Sequence, residues 1–321
     1  MAHDVTLADD DKVILSLMAA NGIPPYESMT PKQARSAMAQ FAAIAFPRMA
    51  VGSVEDLSIS GADGILKLRL YTPPAKPSGL TPALIFLHGG GWMLGDLESH
   101  DDICRKFCVS LAMPVLAVDY RLAPEHRFPA AVEDVFTAVR WLSDNVERFD
   151  IDREKVAIGG DSAGGNLAAV AAIAAARGML PALAYQILFY PVTDLGRESE
   201  GYARVTSGVP VAAPTMRWFR DAYLGSRQDG EDWRASPLRA DDLAGVAPAF
   251  VMTVQHDPLA EESAAYVSRL MKAGVAVTHL HYSQHFHGII NMGAMIRDAE
   301  AAMASAVAAL LAHFRPSASA G

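Results

Sequence analysis

The chain has 321 residues, 51% of them hydrophobic and 20% charged, so it can bury a large core and is not globally disordered. Its 27 basic and 36 acidic residues leave a formal charge of -9, which argues against nucleic acid or an anionic membrane as partner. The acidic start MAHDVTLADDDK is unlike a secretion signal, and the apolar run LAAVAAIAAA is shorter than the roughly 20 residues of a membrane span. A cytoplasmic protein with no membrane partner is therefore expected. The two cysteines, Cys104 and Cys108, make no disulfide framework and read as reduced structural thiols.

Residues 1–50 read as helices, with Thr30 as an N-cap and Pro31 at the first helical position of TPKQARSAMAQFAAIAF. EDLSISGADGILKLRLYTPP reads as two antiparallel strands turning at Gly61 to Gly64. From there, apolar strand-like runs (PALIFLH, MPVLAVDY, KVAIGG, AYQILFYPV, PAFVMTVQ) alternate with helical stretches, up to a last strand AVTHLHY and a helix ending near Phe314. That alternation predicts an α/β fold whose mostly parallel sheet is covered by helices on both faces. One stretch, 195–231, interrupts the rhythm and reads as an inserted cap. The expected organisation is a helical segment at 1–50, an α/β domain at 51–194 and 232–315, the insertion at 195–231, and a disordered tail at 316–321.

The chemistry concentrates in a few motifs. GGDSAGG at 159–165 follows a strand and opens a helix, and Gly160, Ser162 and Gly164 match G-x-S-x-G. This pattern places a serine on a strained turn at a helix N-terminus. A dinucleotide loop is excluded, because G-x-G-x-x-G and its downstream acid are absent. A serine nucleophile requires a base. Among the four histidines of HLHYSQHFHG, His287 is expected on the loop after the last strand. His285 is its competitor, and His279 and His281 read as ordinary strand residues. An H-x-H pair without neighbouring carboxylates or cysteines is not read as a metal site. Two aspartates, Asp194 and Asp257, end strands between the serine and the histidine. Asp257, followed by Pro258, is favoured as the acid, and Asp194 as a brace for the insertion. The glycines of LIFLHGGGW then acquire a purpose: backbone N–H groups must approach an oxyanion closely. Gly89, Gly90 and Ala163 are the expected donors. His88 is expected to hold the loop by hydrogen bonds.

HGGGW (88–92), DYRLAPEHRFPAA (119–131), GDSAGGNLA (160–168), DPL (257–259) and HG (287–288) together resemble the hormone-sensitive-lipase family of microbial carboxylesterases, within the α/β-hydrolase superfamily. The resemblance spans about residues 80 to 290. It implies the α/β-hydrolase fold, an eight-stranded, mostly parallel sheet with a helical cap built from the N-terminal helices and the insertion. It implies a triad of Ser162, Asp257 and His287, and a bracing role for Glu125. Ala260, Ser263 and Ile289 depart from the usual family pattern. The expected function is hydrolysis of short- to medium-chain acyl esters through an acyl-enzyme, without a cofactor or metal. A serine hydrolase of lactones, amides or peptides, or a non-catalytic binding relative, is the alternative. Trp92, Asp161, Met216, Trp218 and Phe219 are expected around the substrate pocket. The partner is a small-molecule ester, and a homodimer is left open.

Overall fold

A computed structural model describes residues 6–40, 44–75 and 79–315. The expected tail at 316–321 lies outside them. Eight strands form one sheet: β1 (Ser53–Ser60), β2 (Ile65–Thr72), β3 (Thr81–Leu87), β4 (Val115–Asp119), β5 (Ile151–Asp161), β6 (Tyr185–Phe189), β7 (Ala249–His256) and β8 (Val277–Phe286). Their order across the sheet is β1-β2-β4-β3-β5-β6-β7-β8. The β1–β2 hairpin and its contact with β4 are antiparallel, and every pairing from β4 to β8 is parallel. β3 and β6 are apolar almost throughout because helices cover both faces.

The helices are α1 (Asp9–Ala20), α2 (Pro31–Gln40), α3 (Asp101–Leu111), α4 (Ala130–Asp144), α5 (Ala163–Ala176), α6 (Glu200–Arg204), α7 (Ala213–Tyr223), α8 (Ala260–Lys272) and α9 (Arg297–Phe314). Residues of α4, α5 and α8 share one apolar core, and those of α3 and α9 share the other. Helix α5 is apolar on all sides, as a buried helix must be, and its alanines let it lie close against β5 and β6. Among the described residues, no helix is long and apolar enough to cross a membrane.

The N-terminal helices go to different places. Ile14 of α1 joins the core on the α9 side. α2 is tied instead to the loops after β3 and β4: Arg35 donates to the carbonyl of Met93 in the first, and to both carboxylate oxygens of Glu125 and the carbonyl of Ala123 in the second. The pair draws the Glu125 carboxyl down to about 2, chiefly through the Arg35 hydrogen bonds. Between α1 and α2, Glu27 accepts a 2.7 Å hydrogen bond from Thr215 of α7, and the ring of Tyr26 faces that of Phe219 at 6.3 Å. The insertion thus meets the N-terminal segment above the C-terminal ends of the strands.

The tightest place in the fold lies between β3, β5 and α5. A Cβ on Gly164 would fall 2.0 Å from the carbonyl oxygen of Leu87, and one on Gly160 would fall 2.5 Å from the same atom. That neighbour is backbone and cannot swing aside. Gly164→Ala should therefore cost about 3 kcal/mol or more, toward the upper end for overpacking. Gly178→Ala is the control: its φ is +69° but its surroundings are open, so only about 1–2 kcal/mol of backbone strain is expected. Urea denaturation of the two variants checks the ranking, and equal losses would contradict it.

Candidate active site

Ser162 stands between the end of β5 and the start of α5. Its φ is 53° and ψ is -115°, a conformation that costs a non-glycine residue on the order of 1–3 kcal/mol. The surroundings hold it there. Its N–H donates to the carbonyl of Phe189 at 2.9 Å, and its carbonyl accepts from Asn166 at 2.9 Å. Asn166 is itself buried and donates to the carbonyls of Val192 and Ala235. Fully buried neighbours such as Leu167 and Phe189 contribute about 1.5–3 kcal/mol each, enough to offset the strain.

Three chain segments converge on the turn. The Ser162 hydroxyl lies 2.8 Å from Nε2 of His287, and Nδ1 of His287 lies 2.7 Å from Oδ2 of Asp257. The carboxylate accepts from Nδ1–H, which leaves Nε2 free to accept the hydroxyl proton. The other Asp257 oxygen, Oδ1, accepts the Leu259 N–H at 2.9 Å and so fixes the carboxylate plane. All three side chains are buried. The ring of Tyr190 packs on the imidazole with centroids 4.4 Å apart.

The other acids and histidines go elsewhere. Asp194 accepts from the backbone of Gly196 and Arg197 and from the Arg239 guanidinium, so it braces the start of the insertion. Ser263 donates to the carbonyl of Pro191. His279 and His281 both bond the Thr253 hydroxyl on β7. His285 is still within β8 and is bonded to Asp11 and Asp298.

The glycine loop requires one correction. Gly89 does not offer its N–H to the cavity: it donates to Oδ1 of Asp161 at 2.8 Å, and a Cβ on Gly89 would fall 2.3 Å from the other carboxylate oxygen. Gly90 and Gly91 line the cavity with Ser162 and His287. Their N–H groups have no acceptor among the described residues. His88 is buried and stacks on Tyr120 at 4.2 Å. Burial, followed by the nearby His100, pulls its pKa down to about 4, so the ring is neutral. Its Nδ1–H donates to the Gly89 carbonyl at 2.8 Å, while the Tyr120 hydroxyl donates to the His88 carbonyl at 2.7 Å.

Asp161 joins the glycine loop to the histidine loop. Besides Gly89, it accepts from the Asn291 amide at 3.0 Å and meets Nε2 of His100 at 3.1 Å. Burial would raise its pKa, but the charge and hydrogen bond of His100, then the Asn291 bond, hold it below the usual carboxylate range. Burial would lower the pKa of His100, and Asp161 raises it instead. Nothing in the sequence marked His100 or Asn291, which belong to none of the motifs.

The cavity over Ser162 measures about 90 Å³. Its walls include Tyr26 and Met38 from the N-terminal segment, Pro210, Val211 and Phe219 from the insertion, and Asp161, Asn291 and Met292. Of the expected pocket residues, Asp161 and Phe219 line it. Trp92 does not: it is fully buried and stacks on Tyr223 at 4.3 Å. Met216 and Trp218 do not line it either, because α7 turns Met216 into the core and packs Trp218 against its edge.

This sheet, with its serine turn at the end of β5 and the Ser–His–Asp contact, defines a serine hydrolase of the α/β-hydrolase class. The model of the α/β hydrolase fold matches residues 84–291. The chain belongs to that family, in its hormone-sensitive-lipase branch of carboxylesterases. It is 39% identical to an ethyl acetate hydrolase of Pseudomonas putida over 81% of this chain and 83% of that one. It is 41% identical to the carboxylic ester hydrolase LipN of Mycobacterium tuberculosis, over 81% and 70% of the two chains. Among solved structures, an ester hydrolase from the metagenome of Lake Arreo superposes with a TM-score of 0.92 at 36% identity, covering 96% of this chain and 99% of that one.

The Asp161–His100 pair gives a prediction. Asp161 has a lowered pKa, so its contribution to stability is present above its ordinary 3.8 and lost as pH falls through the folded value. His100 has a raised pKa, so its contribution is present below its ordinary 6.5 and lost as pH rises through the folded value. His100→Ala leaves a buried carboxylate short of one partner and should cost about 3–5 kcal/mol where His100 is protonated. The deficit should be larger near pH 6 than near pH 9 in urea denaturation. A deficit that grows toward alkaline pH would contradict the pairing.

Proposed function

We propose that Ser162, His287 and Asp257 act as nucleophile, base and orienting acid in the hydrolysis of short- to medium-chain acyl esters. The chain is a carboxylic ester hydrolase. The continuous hydrogen-bond line from the Ser162 hydroxyl through His287 to Asp257 carries the assignment of roles. Ser162 Oγ attacks the ester carbonyl as its proton passes to Nε2 of His287. The carbonyl oxygen becomes an oxyanion, facing the N–H groups of Gly90, Gly91 and Ala163. Each such donor contributes on the order of 10²–10³ in rate. Collapse breaks the bond to the alcohol oxygen, which leaves with the proton from His287, and the acyl group stays on Ser162. Water then repeats the sequence, giving up its proton to His287, and the acid departs as the proton returns to Ser162.

The N-terminal segment around Tyr26 and α2, together with the 195–231 insertion, serves as the cap. Its apolar walls favour an acyl chain. The cavity of about 90 Å³ is roofed by Tyr26, Val211 and Phe219, which favours a short chain over a long one.

Two outcomes are expected. Asp257→Asn should lower kcat by about 10⁴, and Asp194→Asn should leave it within about tenfold of the parent. A reversed ranking would move the acid to Asp194. Each added CH₂ contributes about 0.8 kcal/mol until the cavity is full, so kcat/KM should peak within about two to eight acyl carbons. Profiling p-nitrophenyl esters measures this. A maximum at long chains, or a jump in rate at an oil–water interface, would mean that the cap opens like a lid.

A further inference from the structure

The strand end that carries His287 is held from its outer side by groups the reaction does not use. Asp11, in the first turn of α1, is fully buried. Its Oδ2 accepts the backbone N–H of Phe286 at 3.0 Å, and its Oδ1 lies 2.9 Å from Nδ1 of His285. The other ring nitrogen, Nε2, lies 2.9 Å from Oδ2 of Asp298 on α9. The N–H of Ala8 donates to the carbonyl of Gln284 at 2.8 Å. The N-terminal segment therefore grips Gln284, His285 and Phe286, the three residues before His287.

The chemistry of this clasp is one-sided. Carboxylate oxygens only accept, so both contacts of His285 are hydrogen bonds only when both ring nitrogens carry protons. Burial opposes that charge, but the bonds to Asp11 and Asp298 outweigh it and raise the pKa above the ordinary histidine value. The nearby Asp10 is occupied by Arg297, and the ring of Tyr282 closes another side.

The sheet holds this strand end from one side. Among the described residues β8 is an edge strand that pairs with β7 alone, and the pairing shifts register between Val254 and His256 before it resumes at His256 and Phe286. We propose that Asp11 is a positioning residue for the reaction: through Phe286 and His285 it fixes the backbone that aims His287 between Ser162 and Asp257.

The inference rests on the role of His287 proposed above. A folded His287→Ala variant that loses turnover and phosphonate labelling of Ser162 establishes that role without any Asp11 variant. The test is Asp11→Asn in the full chain, with sites titrated by a serine-directed phosphonate and rates taken on a short p-nitrophenyl ester. Misplacement by about 1 Å can cost on the order of 100-fold, so kcat per titrated site should fall at least about tenfold while KM stays within about twofold. The acid limb of the kcat/KM profile should shift, because the geometry of His287 against Asp257 changes. Asp298→Asn, at the exposed end of the clasp, should keep kcat within about threefold of the parent. If Asp11→Asn does not accumulate, His285→Ala is read instead, with a fall in kcat per titrated site of about three- to tenfold and KM within about twofold expected. A folded variant with parental kcat per site and an unmoved acid limb, however much its Tm falls, makes the clasp purely structural and overturns the proposal.

Discussion

The structure depends on the sharp turn at Ser162. A side chain held at positive φ between a strand and a helix points out of the sheet, where it can meet a histidine from another loop. The turn is possible only because Gly160 and Gly164 let β5 and α5 close on the Leu87 carbonyl. That contact also sets the height of the glycine loop, since Leu87 runs directly into His88 and Gly89. Ser162 and the loop that faces it are therefore positioned by one backbone contact.

Asp161 extends the same logic sideways. The residue beside Ser162 ties down the glycine loop through Gly89 and the histidine loop through Asn291. A buried carboxylate is expensive unless its oxygens are satisfied, and here they accept from Gly89, His100 and Asn291. The His100 ring beside it, whose pKa that carboxylate raises, offsets its charge when protonated. The site is thus rigid on its floor. Its roof, by contrast, comes from segments far apart in the chain, among them the Tyr26 turn, α2 and α7.

The strand–helix alternation and the serine turn were legible because both are local: the apolar runs mark strands, and G-x-S-x-G encodes its own geometry. Asp257 and His287 were legible as residues ending adjacent strands. Gly89 was misassigned because the direction of its N–H is set by Asp161, 72 residues away. Trp92 and Met216 were placed in the pocket because their apolarity is visible in sequence. The rotation of their segments depends on packing against Tyr223 and the core, which is not. Asn291 and Asp11 carry no motif; their partners lie 130 and 274 residues off.

The covalent step is the most direct test of the account. Rapid mixing with p-nitrophenyl acetate should release a burst of p-nitrophenol equal to the enzyme present, provided deacylation is the slower step. Acid quenching followed by peptide mass spectrometry should then find the acetyl group on Ser162. Acetyl on any other residue, or turnover with no acyl-enzyme trapped under any quench condition, would contradict the account.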